Sequence, residues 1–351
     1  MAKNKSSDLV NITLIKRTEE INGMHTNSLK LKFKGSQVNN VLINTLRRVS
    51  KELIPIYAFD TENIKVEEST NMVNTSTKVL YLTNIPIINT KKKILNDERF
   101  LEKVLDLEIK AFDKDIKKSN LTVREQEELE RKKADDRFNN LNMVINLKNE
   151  TDEMKYYTTD DVEYFLKGDK IDTIYKRPLF LLQLKPGEVY KATCVSTLNI
   201  GLYNAIYESC AECTFDMINE NEYDFYIESC RQISEEDILI RAAKILIIKI
   251  DSLEKKFKTN LKKELYYEGE ILLEYSNHTI GAFITRAIQD HPNISFCGYM
   301  MKHLDISEIT LKYLTKDNTK TILDIISEVF KDRKDLLLSI ISQIEKIKKI
   351  N

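Results

Sequence analysis

Cys210 and Cys213, in "YESCAECTF", stand three residues apart, a spacing at which two thiolates can share a metal ion. Zinc needs four ligands, usually supplied as two such pairs. The other candidates, Cys194, Cys230 and His25, are distant in sequence, and the local run reads as helix or turn. The pair is therefore read as buried thiols, which pack like small apolar side chains, and no metal or cofactor is expected. His278 stands between Asn277 and Thr279 at the start of a helical pattern, where a capping or interface role outweighs catalysis. Metal-assisted transfer chemistry would need clustered carboxylates. Glu67-Glu68 and Asp135-Asp136 are the nearest dense acidic pairs, but both fall in ordinary strand and helix patterns and read as solvated. H-E-x-x-H, nucleophile-elbow, P-loop and Gly-rich dinucleotide patterns are missing from the sequence. No catalytic residue is assigned, and the chain is not read as an enzyme by itself.

Three arginines offer a different chemistry. Arg is planar, permanently charged and suited to protein interfaces. Arg47 and Arg48 lie in "VLINTLRRVSKELIPIYAF" (Val41–Phe59), and Arg286 lies in "NHTIGAFITRAIQDHPNISFCGY" (Asn277–Tyr299). From pattern alone, Arg47 and Arg48 face solvent on the polar side of a helix.

The elements that position these residues recur. "SLKLKFKGS" alternates, with Leu29, Leu31 and Phe33 on one face and Lys30, Lys32 and Lys34 on the other, as in a half-buried strand. Ser36 can then cap a helix whose Leu42, Leu46, Val49 and Leu53 form one apolar face. Pro55 forces the chain out of helix, and "IYAFDTENIKVEES" follows as extended chain. The plan returns in "EILLEYS", with Ile271, Leu273 and Tyr275 on one face. Asn277 or Thr279 can cap a helix with the stripe Ile280, Phe283, Ile284 and Ala287, which Pro292 ends before the strands "NISFCGY" and "SEITLKYLT". Each unit closes with a long helix. One runs from Ser234 to Phe257, with Ser234 and Asp237 as a capping pair. The other runs from about Thr321 to Ile350. Both are apolar over a wide face, so each is expected to pack on a sheet and on another helix.

The first copy is interrupted between Pro86 and about Tyr223. "MVINLKN" and "PLFLLQLKPGEVYKATCVS" read as strands, and Lys185-Pro186-Gly187 suits a turn with Gly where φ is positive. An inserted β-rich domain is the simplest reading. It also carries "LTVREQEELERKKADDR" (Leu121–Arg137), with a Thr122/Glu125 capping box and i, i+4 pairs Glu127–Arg131 and Glu128–Lys132. Lacking an apolar stripe, it reads as a solvated surface helix.

The 351 residues exceed one typical domain. Charged residues make up 31%, yet the net charge is −1, which gives no general attraction to nucleic acid or anionic membrane. The N-terminal run shows no signal-peptide pattern, and no stretch approaches the ~18 apolar residues of a membrane span. Five scattered cysteines fit reduced thiols. A soluble, intracellular protein is expected.

Taken together, the motifs resemble the RNA polymerase alpha family, which includes the bacterial alpha subunit. "NTLRRVSKELIPIYAFD" (Asn44–Asp60) resembles the leading motif of the third subunit of eukaryotic RNA polymerase II, and Asn277–Tyr299 resembles that of its partner, the eleventh subunit. "LLQLKPGEVYKATCVSTLNIG" (Leu181–Gly201) looks like the insert-domain hairpin of the third subunit. "YDFYIESCRQISEEDILIRAAKIL" looks like its return to the dimerisation domain. Both partners in one chain resemble the fused subunit of large nucleocytoplasmic DNA viruses.

The resemblance implies an α+β fold with two alpha-type dimerisation units in one chain, a pseudo-heterodimer, and a β-rich domain inserted in the first. The expected ranges are 1–88 with 222–262 for the first unit, 89–221 for the insert and 263–351 for the second. It implies a non-catalytic assembly platform of a multisubunit DNA-directed RNA polymerase, used in transcription. The alternative is a scaffold or nucleic-acid-binding subunit of another complex. The implied partners are the largest and second-largest polymerase subunits and small zinc-type subunits. DNA would be met only through the complex, with no membrane contact, and a viral chain would act in host cytoplasm or virion. Arg47, Arg48 and Arg286 become partner-interface residues. Leu42, Leu46, Val49, Ile280, Phe283, Ile284 and Ala287 become the intramolecular dimer core. The connector around Lys258–Glu264 is short, so fusion makes pairing intramolecular, with an effective concentration of order mM.

The sequence departs from the family in three places. The family's Gly-Asn in the first helical turn is replaced by Gly281-Ala282 and Ile43-Asn44. The Cys cluster with which some third subunits bind zinc, just after the segment matching Leu82–Ile87, is missing, since the first cysteine is Cys194. Asn89 to about Asn140 matches nothing in the family.

Overall fold

The structure is a computed structural model that describes residues 9–18, 27–70, 75–88, 99–112, 140–260, 268–274, 277–301, 308–316 and 320–349. His25, Tyr275, Asp135-Asp136, the surface helix expected over 121–137 and residues 261–264 of the connector lie outside the described residues. The first elements are β1 (Asn11–Thr18), β2 (Ser28–Lys34), α1 (Asn40–Glu52), β3 (Ile56–Ser69), α2 (Thr75–Thr83), α3 (Arg99–Phe112), β4 (Leu141–Lys148), β5 (Lys155–Thr158), β6 (Glu163–Leu166) and β7 (Asp169–Ile171). They are followed by β8 (Phe180–Leu184), β9 (Val189–Asn199), β10 (Cys210–Asn219), β11 (Glu222–Ser229), α4 (Glu235–Asn260), β12 (Glu268–Glu274), α5 (His278–Gln289), β13 (Ile294–Met300), β14 (Glu308–Thr315) and α6 (Ile322–Lys349).

The alternation in β2 builds the first sheet, of order β1-β2-β11-β10. Leu29, Leu31 and Phe33 lie opposite Ile227, Phe225 and Tyr223 and are buried with them. On the other face Lys30, Lys32 and Lys34 reach Asp224 and Glu222 at 2.9–3.1 Å. Cross-strand pairs of both kinds stabilise a sheet modestly, and each buried Leu or Phe contributes about 1.5–3 kcal/mol.

The second sheet, β12-β14-β13, has α5 on it. Gly281 permits this approach, since a Cβ there would lie 2.7 Å from the Ile309 side chain and 2.9 Å from the Tyr299 ring. α1 packs on both α4 and α5. α4 and α6 run antiparallel: Lys348 meets Asp237 at 2.6 Å at one end, Lys334 meets Glu254 at 2.8 Å toward the other, and the Phe257 and Phe330 rings are 5.7 Å apart. All of these elements share one apolar core.

Helix starts follow side-chain capping, with one correction. Asn39, not Ser36, caps α1, accepting from the Leu42 N–H at 2.9 Å. Residues 35–38 form a turn closed by the Val38 N–H to the Gly35 carbonyl, which delays the helix by one turn. Asn277 caps α5 through the Ile280 N–H at 3.2 Å. At α4 the Ser234 hydroxyl takes the Asp237 N–H and bonds its carboxylate, as the capping pair predicts.

A second core joins the five-stranded sheet β3-β9-β4-β6-β7 and the ribbon β5-β8. The turn at Lys185-Pro186-Gly187 forms as read, with Gly187 at φ 75 and the Glu188 N–H on the Lys185 carbonyl. The hairpin expected from the resemblance does not. Both edges of β9 are taken, by β3 and β4, and β8 pairs with β5 instead. The turn is a corner between two sheets.

The two cores interleave along the chain. Phe59, Leu82, Ile85 and Ile87 belong to the second core, while Ile200, Tyr207, Cys210 and Cys213 belong to the first. The cause is β3, a 14-residue strand that starts in the first core at Ile56 and Ala58 and continues into the second, paired with β9 on both sides of an irregularity between Phe59 and Ile64. Gln232 ties this joint, taking the Tyr57 N–H and donating to the Tyr57 and Ile87 carbonyls. The Tyr207 hydroxyl donates to buried Asp60 at 3.0 Å.

α3 lies in the stretch to which no motif was assigned. It packs Val104 and Glu108 on α4, where both Glu108 carboxylate oxygens sit 2.5 Å from Lys249 Nζ. The two side chains are only 4% and 6% exposed. Removing one partner of such a pair strands the other charge in the core. Glu108→Ala is expected to cost about 3–5 kcal/mol, while Glu108→Leu with Lys249→Met should cost far less. Urea denaturation of the single and double variants measures this; equal losses would show that the pair is not electrostatically coupled.

Candidate functional site

α1 is enclosed on most sides. Leu42, Ile43, Thr45, Leu46, Val49 and Ser50 are buried against α4, β10 and α5. This is wider than the expected stripe of Leu42, Leu46 and Val49. From α5, Ile280, Phe283, Ile284 and Ala287 enter the same core, and none of these seven positions is more than 4% exposed. One edge of α1 remains in contact with water. It carries Asn40, Asn44, Arg47, Arg48 and Lys51, spaced i, i+4, i+7, i+8 and i+11, so they line one narrow face.

The charges on that edge differ in what already holds them. Arg48 makes a two-pronged pair with Glu52, at 3.0 and 3.2 Å. Lys51 reaches Glu208 at 3.2 Å. Arg47 bonds only the Asn44 side-chain oxygen, at 3.0 Å, and meets no carboxylate among the described residues. Arg286, on α5, is exposed and paired with Asp290 at 3.1 Å. The structure therefore sets Arg47 and Arg48 side by side, with Arg286 on the separate helix α5.

Arg333 was not singled out from the sequence. It is 9% exposed, donates to Gln37 at 3.1 Å and pairs with Asp290 at 3.3 Å, so it bridges α6, the end of α5 and the turn before α1. Burial pulls its pKa below the usual arginine value. The signal was present: Arg333 occupies the apolar stripe between Phe330 and Leu337, where a charge must find a partner.

Cys210 and Cys213 are buried on β10, at the foot of α1. The Cys210 thiol lies against the Ser50 carbonyl and the Ser209 hydroxyl. No cluster of three or more His, Cys, Asp or Glu suited to a metal occurs among the described residues. Burial pushes the thiols of Cys194 and Cys297 up to about 12 and that of Cys230 up to about 11. Glu67 and Glu68 lie on β3, where Glu68 pairs with Lys191 at 2.7 Å. His278 is the first residue of α5, its ring 5.9 Å from that of Tyr299. Among the described residues, no helix is long and apolar enough to cross a membrane.

Residues 268–343 match the family described as the RNA polymerase Rpb3/Rpb11 dimerisation domain, a span that runs from β12 into α6. The chain is also 24% identical over 332 residues to a protein of Acanthamoeba polyphaga mimivirus named "Putative DNA directed RNA polymerase subunit R470", covering 91% of this chain and 92% of that one. Both findings agree with the family resemblance carried by the two sequence motifs.

Two outcomes follow from this geometry. Leu46→Asp places an unpaired carboxylate in the core shared by α1 and α5 and should cost several kcal/mol, about 3–5; a soluble variant with unchanged melting would contradict it. A thiol with a raised pKa stays protonated and unreactive at neutral pH. Maleimide at pH 8 should therefore leave Cys194 and Cys297 unlabelled in the native protein and label them in urea, as read by mass spectrometry. The unfolded chain releases these protons from about pH 9, the ordinary value, while the folded chain holds them to about 12. Their contribution is thus complete below pH 9 and is lost as pH rises toward 12.

Proposed function

We propose that this chain, similar over 268–343 to the Rpb3/Rpb11 dimerisation domain, is a non-catalytic assembly subunit of a multisubunit DNA-directed RNA polymerase. It joins two alpha-type units in one chain. β2 and α1, with β10, β11 and α4, form the first, and β12 to α6 form the second. The observation that carries this reading is the contact of α1 with α5. Each helix follows an antiparallel strand, each starts at an Asn cap, and their apolar faces close one core. The β-rich part between α1 and β10 is an insertion in the first unit, bounded in this reading by β3 and β9.

The partners are the largest and second-largest polymerase subunits, with small zinc-type subunits near the insertion. DNA is met only through the assembled complex. By its likeness to a mimivirus protein the chain acts in a viral polymerase, in host cytoplasm or in the virion. The exposed edge of α1 is the docking face, and Arg47 is its anchor, because its charge meets no carboxylate among the described residues. Arg48 and Arg286 are held by Glu52 and Asp290 and contribute less.

Purification of a tagged chain from the cells in which it acts, with mass spectrometry of what accompanies it, tests the reading. Two very large polymerase chains are expected; their absence would favour a scaffold in another complex. Replacing Arg47 and Arg48 with Ala should change stability by less than ~0.5 kcal/mol, since both are surface side chains. Capture of the second-largest subunit should fall more than about tenfold. Arg47→Ala alone should account for most of that fall. Capture equal to wild type would remove both residues from the interface.

A further inference from the structure

We draw no further inference here: the strongest candidate, the face of the sheet β12-β14-β13 turned away from α5, on which Leu272, Phe296 and Met300 are exposed, carries none because nothing in the structure shows what covers it.

Discussion

Everything in the first core depends on one constraint: neither α1 nor α5 can leave its apolar face in water. α1 buries Leu42, Ile43, Leu46 and Val49, and α5 buries Ile280, Phe283, Ile284, Ala287 and Ile288. Neither sheet alone can cover its helix on every side. The helices cover each other, and α4 and α6 close the rest. This makes the two halves of the chain mutually dependent for stability. It also explains the buried Arg333, which sits where three elements from both halves converge and satisfies its charge on Asp290 and Gln37. An arginine in that place carries positional information that an apolar residue would lack, because it fits only when α5, α6 and the turn before α1 are in register.

Among the described residues, the second core is attached through one shared pair of strands. β3 and β9 pass from one core to the other, and the polar groups at the passage are satisfied by side chains from elsewhere in the chain. Gln232 serves the Tyr57 backbone and the Ile87 carbonyl, while Tyr207 links Asp60 to Thr197. A buried backbone group without such a partner costs as much as a lost hydrogen bond, so these side chains stabilise the joint between the β-rich part and the core that holds α1.

Local pattern made much of this legible. The alternation of Leu29, Leu31 and Phe33, the stripe of α1, the stop at Pro55 and the turn at Gly187 are each settled by neighbours in sequence, and each is found. The misreadings share a cause. Ser36 is a good cap chemically, but the turn at Gly35–Val38 postpones the helix to Asn39. A tight turn after β8 suggests a hairpin, yet pairing depends on which strand edges are free, and β9 has both taken by β3 and β4. Nor does local pattern reveal that β3 contributes to both cores. At the site, the apolar positions could be read from periodicity. Which arginine was already neutralised was legible only in part: Glu52 stands at the i+4 position from Arg48, whereas the bond of Arg47 to Asn44 follows from side-chain geometry.

That difference bears on how two similar strand–helix units can present different surfaces. On α5, Arg286 is tied to Asp290, and Asp290 is also held by Arg333, so the charge there belongs to an internal network. On α1, Arg48 and Lys51 are paired within the first half, to Glu52 and Glu208, and Arg47 on the same edge bonds Asn44. A partner docking on α5 would have to break pairs that also anchor α6. A partner docking on α1 would meet a cation whose present bond is a single one to a neutral amide. Desolvating a charge for a new carboxylate costs least where no existing pair is lost, so the electrostatics favour the first half of the chain as the docking face, although both halves supply the helices that shape it.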